Sequence, residues 1–292
     1  MADVPAWFHD PDDPHPLESL SADLQLFDDL PGSPSLFVVP LSGALNGNTF
    51  YFGILTPYYE ASDGRTWTPV RSPGFVFTRW GTMDRGYARP AKGGHYFASD
   101  HEGKHISVRA PGRTTRGRYT FTVKVVEVVT EGRNSHVWVG GYVYSHATGR
   151  TDHVGDLRFD GPKLTQRHSL TSFLEVVAED DRTQNTSDTM PELKVAVGRW
   201  AMDGKPVKAN TIWAQYPEQV PQKARAFVWD KRPEGDVKGL AREMREGQTV
   251  VIALQDKVLS RKGFNRREIK QESPFGEPFG WYTQETLFER RP

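Results

Sequence analysis

The residues best equipped for chemistry fall into two short clusters. His101-Glu102-Gly103-Lys104-His105 fits H-E-x-x-H. In zinc peptidases that spacing works on a helix, where both imidazoles meet one metal and the Glu polarises the metal-bound water. The context here argues against that use. Gly103 interrupts the required helix, Lys104 puts a cation beside the metal, and His105 to Pro111 reads as a strand. The extended metzincin pattern also fails, because Val108 and Pro111 stand where Gly and His are needed. A broader reading takes His95, Asp100, His101, Glu102 and His105 as one cluster, and His146, Asp152, His153 and Asp156 as a second. Placed on one rim, these groups would bind a metal or share proton transfer as general acid and base. The plainer alternative is that polar, Gly-containing loops of this kind are solvated turns.

Aromatic residues form the other candidate surface. Tyr58, Tyr59, Trp67, Trp80, Tyr87, Tyr96 and Trp138 crowd the first half of the chain. A sugar presents apolar C–H faces fringed by hydroxyls, so its site pairs aromatic platforms with polar donors and acceptors. The segments Gly74 to His105 and Tyr144 to Asp156 hold both ingredients. Trp80 and Tyr96 are the expected stacking groups. Asp84, Asp100, His101, His105, Tyr144, Asp152 and His153 are the expected polar contacts, and Arg79 or Arg109 would stabilise developing negative charge. Trp138 and Trp200 lie within alternating strands and are assigned to the core.

Two suitably spaced carboxylates suffice for glycoside hydrolysis. Glu127 and Glu175 each interrupt an apolar run, as Val-Val-Glu-Val-Val and Phe-Leu-Glu-Val-Val. An acid on a concave sheet face would be a catalytic candidate, whereas an acid on the solvent face of an alternating strand would not. The catalytic candidates are therefore His101, Glu102, His105 and Glu175. No residue pattern names a cofactor, and the metal question stays open.

Basic groups gather at Arg109, Arg113, Arg116 and Arg118, and again between Lys257 and Lys270. Few aromatics accompany them, so nucleic acid is disfavoured as a partner. No glycine-rich phosphate loop opens a helix, and no G-x-S-x-G elbow occurs.

The elements that must position these residues are strands. Ten segments rich in β-branched and aromatic residues run from 35–40 to 249–255, separated by turn pairs such as Asp63-Gly64 and Asp203-Gly204. In 119–125 the large groups Tyr119, Phe121, Val123 and Val125 alternate with Thr120, Thr122 and Lys124, the pattern of a strand with one buried face. One helix is expected, Asp236 to Glu246. Residues 1–34 read as a Pro/Asp-rich arm in which Leu17 to Leu30 has the spacing of an amphipathic helix docked on the body.

Composition bounds the rest. The 292 residues carry 37 basic and 37 acidic side chains and no cysteine. Disulfides, thiol nucleophiles and Cys-ligated metals are thereby excluded. The neutral total hides an asymmetry. The first 64 residues hold ten acids and no Lys or Arg, so the remaining 228 are net +10. Such a separation points to an acidic segment met either by a partner or by the chain's own arginines. No apolar run nears the roughly 18 residues that span a bilayer, and no signal peptide opens the chain as given. The expectation is a soluble protein, with a mature secreted form compatible.

The stretch Thr49 to Val177 resembles an uncharacterised family of bacterial β-sandwich domains, found mostly in secreted proteins beside carbohydrate-related modules. The matching elements are TFYFGI, FVFTRWG with its following Gly-rich loop, GGHYFASDHEG, RYTFTVKVV, VWVGGYVYSHATGRTDHVGDLRF and SFLEVV. The resemblance implies a lectin-like or glucanase-like sandwich. It brings no catalytic signature.

The sequence thus predicts an all-β fold, an antiparallel β-sandwich or jelly roll with one short helix and an acidic N-terminal arm. The expected organisation is an arm over 1–34 and a single sandwich domain over 35–292. The expected function is carbohydrate binding or processing, by a glycoside hydrolase or lyase if there is turnover. Two alternatives stand beside it: an enzyme acting on a small apolar metabolite inside a β-barrel pocket, and an interaction protein that assembles, with itself or a partner, through its acidic arm.

Overall fold

The computed structural model describes residues 2–7, 15–31, 35–56, 58–61, 67–70, 73–100, 103–131, 134–177, 189–207, 211–216, 219–228, 249–260 and 265–268. In chain order the strands begin with β1 (Ala2–Trp7), β2 (His15–Pro16), β3 (Ser19–Leu26), β4 (Ser35–Leu45), β5 (Asn48–Thr56), β6 (Tyr58–Ala61) and β7 (Trp67–Val70). They continue with β8 (Gly74–Trp80), β9 (Ala88–Pro90), β10 (His95–Ser99), β11 (His105–Pro111), β12 (Gly117–Val129), β13 (His136–Ser145) and β14 (Arg150–Asp160). The last are β15 (Thr165–Val177), β16 (Thr189–Met202), β17 (Lys205–Pro206), β18 (Thr211–Tyr216), β19 (Gln219–Val228), β20 (Thr249–Ser260) and β21 (Asn265–Glu268).

These strands form two antiparallel sheets. The first runs β10-β11-β8-β5-β4-β15-β1-β18-β21, with β2 also on β15. The second runs β19-β20-β16-β3-β12-β13-β14-β9, with β17 on β16, and β6 and β7 pair as a separate hairpin. The sheets pack face to face as a sandwich, and neither closes into a barrel among the described residues. Phe50, Phe52, Phe75 and Phe77 from the first sheet meet Phe121 and Phe159 from the second, all at most 1% exposed. Phe52 and Phe121 stand 5.1 Å apart edge to face. Full burial of each such ring contributes about 1.5–3 kcal/mol. The sheets approach so closely that a Cβ on Gly141 would lie 3.1 Å from the Phe77 ring. A sandwich filled in this way differs from the barrel with an apolar lumen that the metabolite alternative requires.

The alternation read in β12 is present: Tyr119, Phe121 and Val123 are buried while Lys124 is exposed. The expectation for the N-terminal segment is different from what the fold contains. Residues 19–26, read as part of a helix, are a strand hydrogen-bonded on one side to β12 and on the other to β16. Leu20, Ala22, Leu24 and Leu26 face the core at 0% exposure. The cause of the misreading is arithmetic, since a spacing of four residues satisfies both helix and strand periods. β1 adds the same region to the first sheet, between β15 and β18. The predicted helix 236–246 and the Asp63-Gly64 turn lie outside the described residues. The longest helical element among the described residues is the 3₁₀ turn Arg85–Tyr87. No helix among the described residues is long and apolar enough to cross a membrane.

Two acids of the N-terminal segment are engaged within the chain. Asp23, 4% exposed, accepts from Arg118 Nε at 2.9 Å and from Thr120 Oγ1 at 2.6 Å, with Arg199 Nε at 3.7 Å. Asp29 accepts from the Arg116 amide at 2.6 Å. Arg199 itself sits at φ 49 inside a bulge of β16 between Gly198 and Ala201. That bulge turns Trp200 into the core while Arg199 reaches Asp23.

Candidate functional site

Side chains that alternate away from the core line the outer face of the first sheet, and on six neighbouring strands they are largely aromatic. Phe173 lies on β15, Phe37 on β4, Tyr51 on β5, Trp80 on β8, His105 on β11 and Phe97 on β10. All six are half-buried. Tyr51 contacts Phe173 at 6.0 Å, Phe37 at 5.6 Å and Trp80 at 5.3 Å between ring centroids. Trp80 contacts His105 at 5.7 Å, and His105 contacts Phe97 at 6.0 Å. The result is an unbroken ribbon of rings running across the strands.

Register explains the ribbon. Trp80 pairs directly with His105, and Ser99 with His105 on the far side. Tyr51 pairs with Thr78, two residues before Trp80. Glu175 pairs with Phe37, two residues beyond Phe173. Period-two alternation then sends each of these side chains to one face.

Polar anchors fix the Trp80 end of the sheet. Buried Arg79, on the opposite side of β8, donates from Nε to the Trp80 carbonyl at 3.1 Å, from Nη2 to Asn48 Oδ1 at 2.8 Å, and from Nη1 to the Arg158 carbonyl. Its guanidinium stacks over Phe159 and Tyr87. Burial holds this group below the usual arginine value, while the Asp160 carboxylate opposes the shift. Arginine stays charged regardless, so the three acceptors offset its desolvation. The Gly81 amide donates to the Lys104 carbonyl at 2.8 Å. His105 Nδ1 lies 3.0 Å from the Gly103 carbonyl, which can only accept, so Nδ1 carries the proton.

Small polar groups form the floor between the rings. Thr78 and Ser107 pair with each other and are fully buried. Ser107 Oγ donates to the Phe97 carbonyl at 3.3 Å, whereas Thr78 Oγ1 makes no hydrogen bond within the protein. At one end the Arg109 guanidinium covers Phe97 at 4.1 Å. The other end carries Glu175.

Of the residues singled out from the sequence, Trp80, His105, Arg109 and Glu175 share this face. His101 and Glu102 lie outside the described residues. The chain from Gly103 onward, at φ 90, turns into β11 rather than continuing a helix, so H-E-x-x-H has no helical frame there. Tyr96 pairs with core residue Val108, which puts it on the other side of β10, with Arg85 over its ring at 4.6 Å. Asp84 caps the 3₁₀ turn by accepting from the Gly86 amide. The Asp100 carbonyl accepts from the Gly103 amide in a turn.

The second expected loop belongs to the other sheet. Tyr144 pairs with Thr120 on β12 and meets His146 at 4.8 Å. Asp152 pairs with Val143 and approaches Arg150 at 3.6 Å. His153 lies stacked on Tyr142 at 4.8 Å and 20°, and its Nε2 bonds Asp156 at 2.8 Å. The two His/Asp clusters therefore do not form one rim. Glu127 sits on that second face and pairs with Arg89, whose guanidinium covers Trp138. No grouping of three or more metal-ligating side chains occurs among the described residues.

Phe37, Tyr51, Phe97 and Phe173 were not singled out from the sequence. Their alternation with core residues was visible, but the adjacency of their strands was not. Fold and face together define an antiparallel β-sandwich carrying an aromatic outer ribbon. No family model matches the chain, and no curated protein matches it.

Proposed function

We propose that this protein binds carbohydrate on the outer face of its first sheet. The observation that carries the reading is the ribbon from Phe173 to Phe97, rings that are only partly buried and whose π surface suits sugar C–H faces. The resemblance over Thr49 to Val177 agrees with it.

Binding is favoured over hydrolysis. The two candidate catalytic groups on the face, His105 on β11 and Glu175 on β15, are separated by β8, β5 and β4. Four strand spacings amount to about 19 Å. Acid and base partners across a glycosidic bond sit about 5–9.5 Å apart, so this pair cannot serve one bond.

The test is titration calorimetry against a broad panel of soluble oligosaccharides and polysaccharides, with intrinsic tryptophan fluorescence as a second readout. Binding of at least one glycan, lost in Trp80→Ala, is the expected outcome. A panel without any binder would overturn the reading.

A further inference from the structure

We infer that the β6–β7 hairpin lies as a third layer over the centre of the aromatic face, and that a glycan must compete with it for that face. The inference rests on the carbohydrate reading and adds a control on the same site.

Burial is the first argument. Val39 pairs with Phe173 and Leu55 with Phe37, while Val76 lies two residues before Thr78, so all three share the outer face. Val39 and Val76 are 0% exposed and Leu55 is 4% exposed, yet none of them belongs to the cluster between the sheets. Thr78 and Ser107 beside them are also 0% exposed. Gly53 stands between the two valines, paired with Val76 and with Val39 Cγ2 2.9 Å from where its Cβ would be. A glycine flanked by valines leaves a trough. In a bare two-layer sandwich those valines would meet water, so another part of the chain fills the trough.

Position is the second. Among the described strands, only β6 and β7 belong to neither sheet. They are the paired part of residues 57–73, which join β5 to β8 where Leu55 and Gly74 are themselves partners. Pro57 and Pro73 flank the hairpin and have no N–H with which to prolong the β5–β8 ladder. The chain therefore leaves the sheet and returns at one point, two residues from Gly53 and Val76. Four residues of extended strand span about 13 Å, the same reach as β5 from Leu55 back to Tyr51. Folded back, the hairpin covers the trough and ends at the middle of the ribbon.

Competition is the third. Tyr51 touches Phe37, Phe173 and Trp80. A layer that reaches Tyr51 takes up π surface that a sugar would use, so each occupant binds at the expense of the other.

The experiment compares the full chain with a chain in which residues 57–72 are replaced by Asn-Gly, a two-residue hairpin turn. A glycan that binds in the panel is expected to bind the trimmed chain about tenfold tighter or more. Val76→Lys is then placed in both chains. In the full chain it should lower the melting temperature by about 5 °C or more, because the charge enters a covered site. In the trimmed chain the same change should be nearly silent. Equal effects of Val76→Lys in the two chains overturn the inference, whether the face is open or another segment covers it. Equal glycan affinity in the two chains also overturns it, while the carbohydrate reading survives. Absence of any glycan binding by either chain overturns that reading and the competition together. If the trimmed chain does not fold, hydrogen exchange over 58–70 decides: Val76→Lys in the full chain should speed it about tenfold or more, and unchanged exchange overturns the inference.

Discussion

Asp23 and Arg118, 95 positions apart in sequence, are joined through two nitrogens of one guanidinium, Nε at 2.9 Å and Nη2 at 2.8 Å. The side chains are 6% and 12% exposed, so the pair is largely removed from solvent. Removing one partner of a buried ion pair leaves an uncompensated charge. Arg118→Leu is expected to lower unfolding free energy by about 3–5 kcal/mol. Denaturant melts check this, and the loss should change little between low and high salt because buried pairs are weakly screened. A loss that vanishes in high salt would mark the pair as a surface contact.

Trp80 lies at the middle of the ribbon and touches both Tyr51 and His105. Its removal should cost glycan affinity about tenfold or more, since central aromatic anchors dominate binding energy. Because Trp80 is only half-buried, the melting temperature should fall modestly. Calorimetry beside a thermal melt separates the two effects. Unchanged affinity in Trp80→Ala would remove the ribbon as the site.

Thr78→Val replaces a hydroxyl that has no partner in the protein with a methyl group of similar shape. Burial of an unsatisfied hydroxyl costs about 1–3 kcal/mol, so the variant should be as stable as the parent or more so. Because the side chain is fully buried, the same variant should leave glycan affinity unchanged. Denaturant melts check the stability gain, and a clear loss of stability would show that the hydroxyl has a partner after all.

Burial, with the Asp156 carboxylate adding to it, holds the Tyr142 phenol above the usual tyrosine value. A raised value favours the neutral form in the fold. Its stabilising effect is complete below about pH 10, the ordinary phenol value, and is lost as pH climbs through the folded value. Tyr142→Phe should abolish the most alkaline component of the phenolate ultraviolet titration and lessen the alkaline loss of stability. Asp156→Asn should shift that component toward lower pH. An ordinary titration for Tyr142 would sink this account.

Strand chemistry was legible where one period held over many residues. Tyr119 to Lys124 announces its buried face, and the sandwich follows from many such segments. Leu20 and Leu24 were ambiguous because four residues fit either period, and only Ala22 and Leu26 resolve them. For the site, Trp80, His105, Arg109 and Glu175 were visible as types suited to sugar or acid–base work. Phe37, Tyr51 and Phe173 were not, because a face is set by which strands pair. The pairing of 35–45 with 165–177 leaves no mark in either segment alone. The expectation of two loops on one rim failed to anticipate that β11 and β14 belong to opposite sheets.

The place of β3 between β12 and β16 has a consequence for assembly. The second sheet is two halves joined by residues 19–26, and these must find one neighbour near residue 120 and another near residue 200. Pairings so distant in sequence fold slowly, because loop closure precedes the contacts that reward it. During synthesis the early segment can pair with β12 once that strand emerges, but its other edge stays open until β16 follows. Asp23 within it and Glu18, Asp28 and Asp29 beside it suit that wait, since like charges keep an exposed apolar edge from associating with other chains.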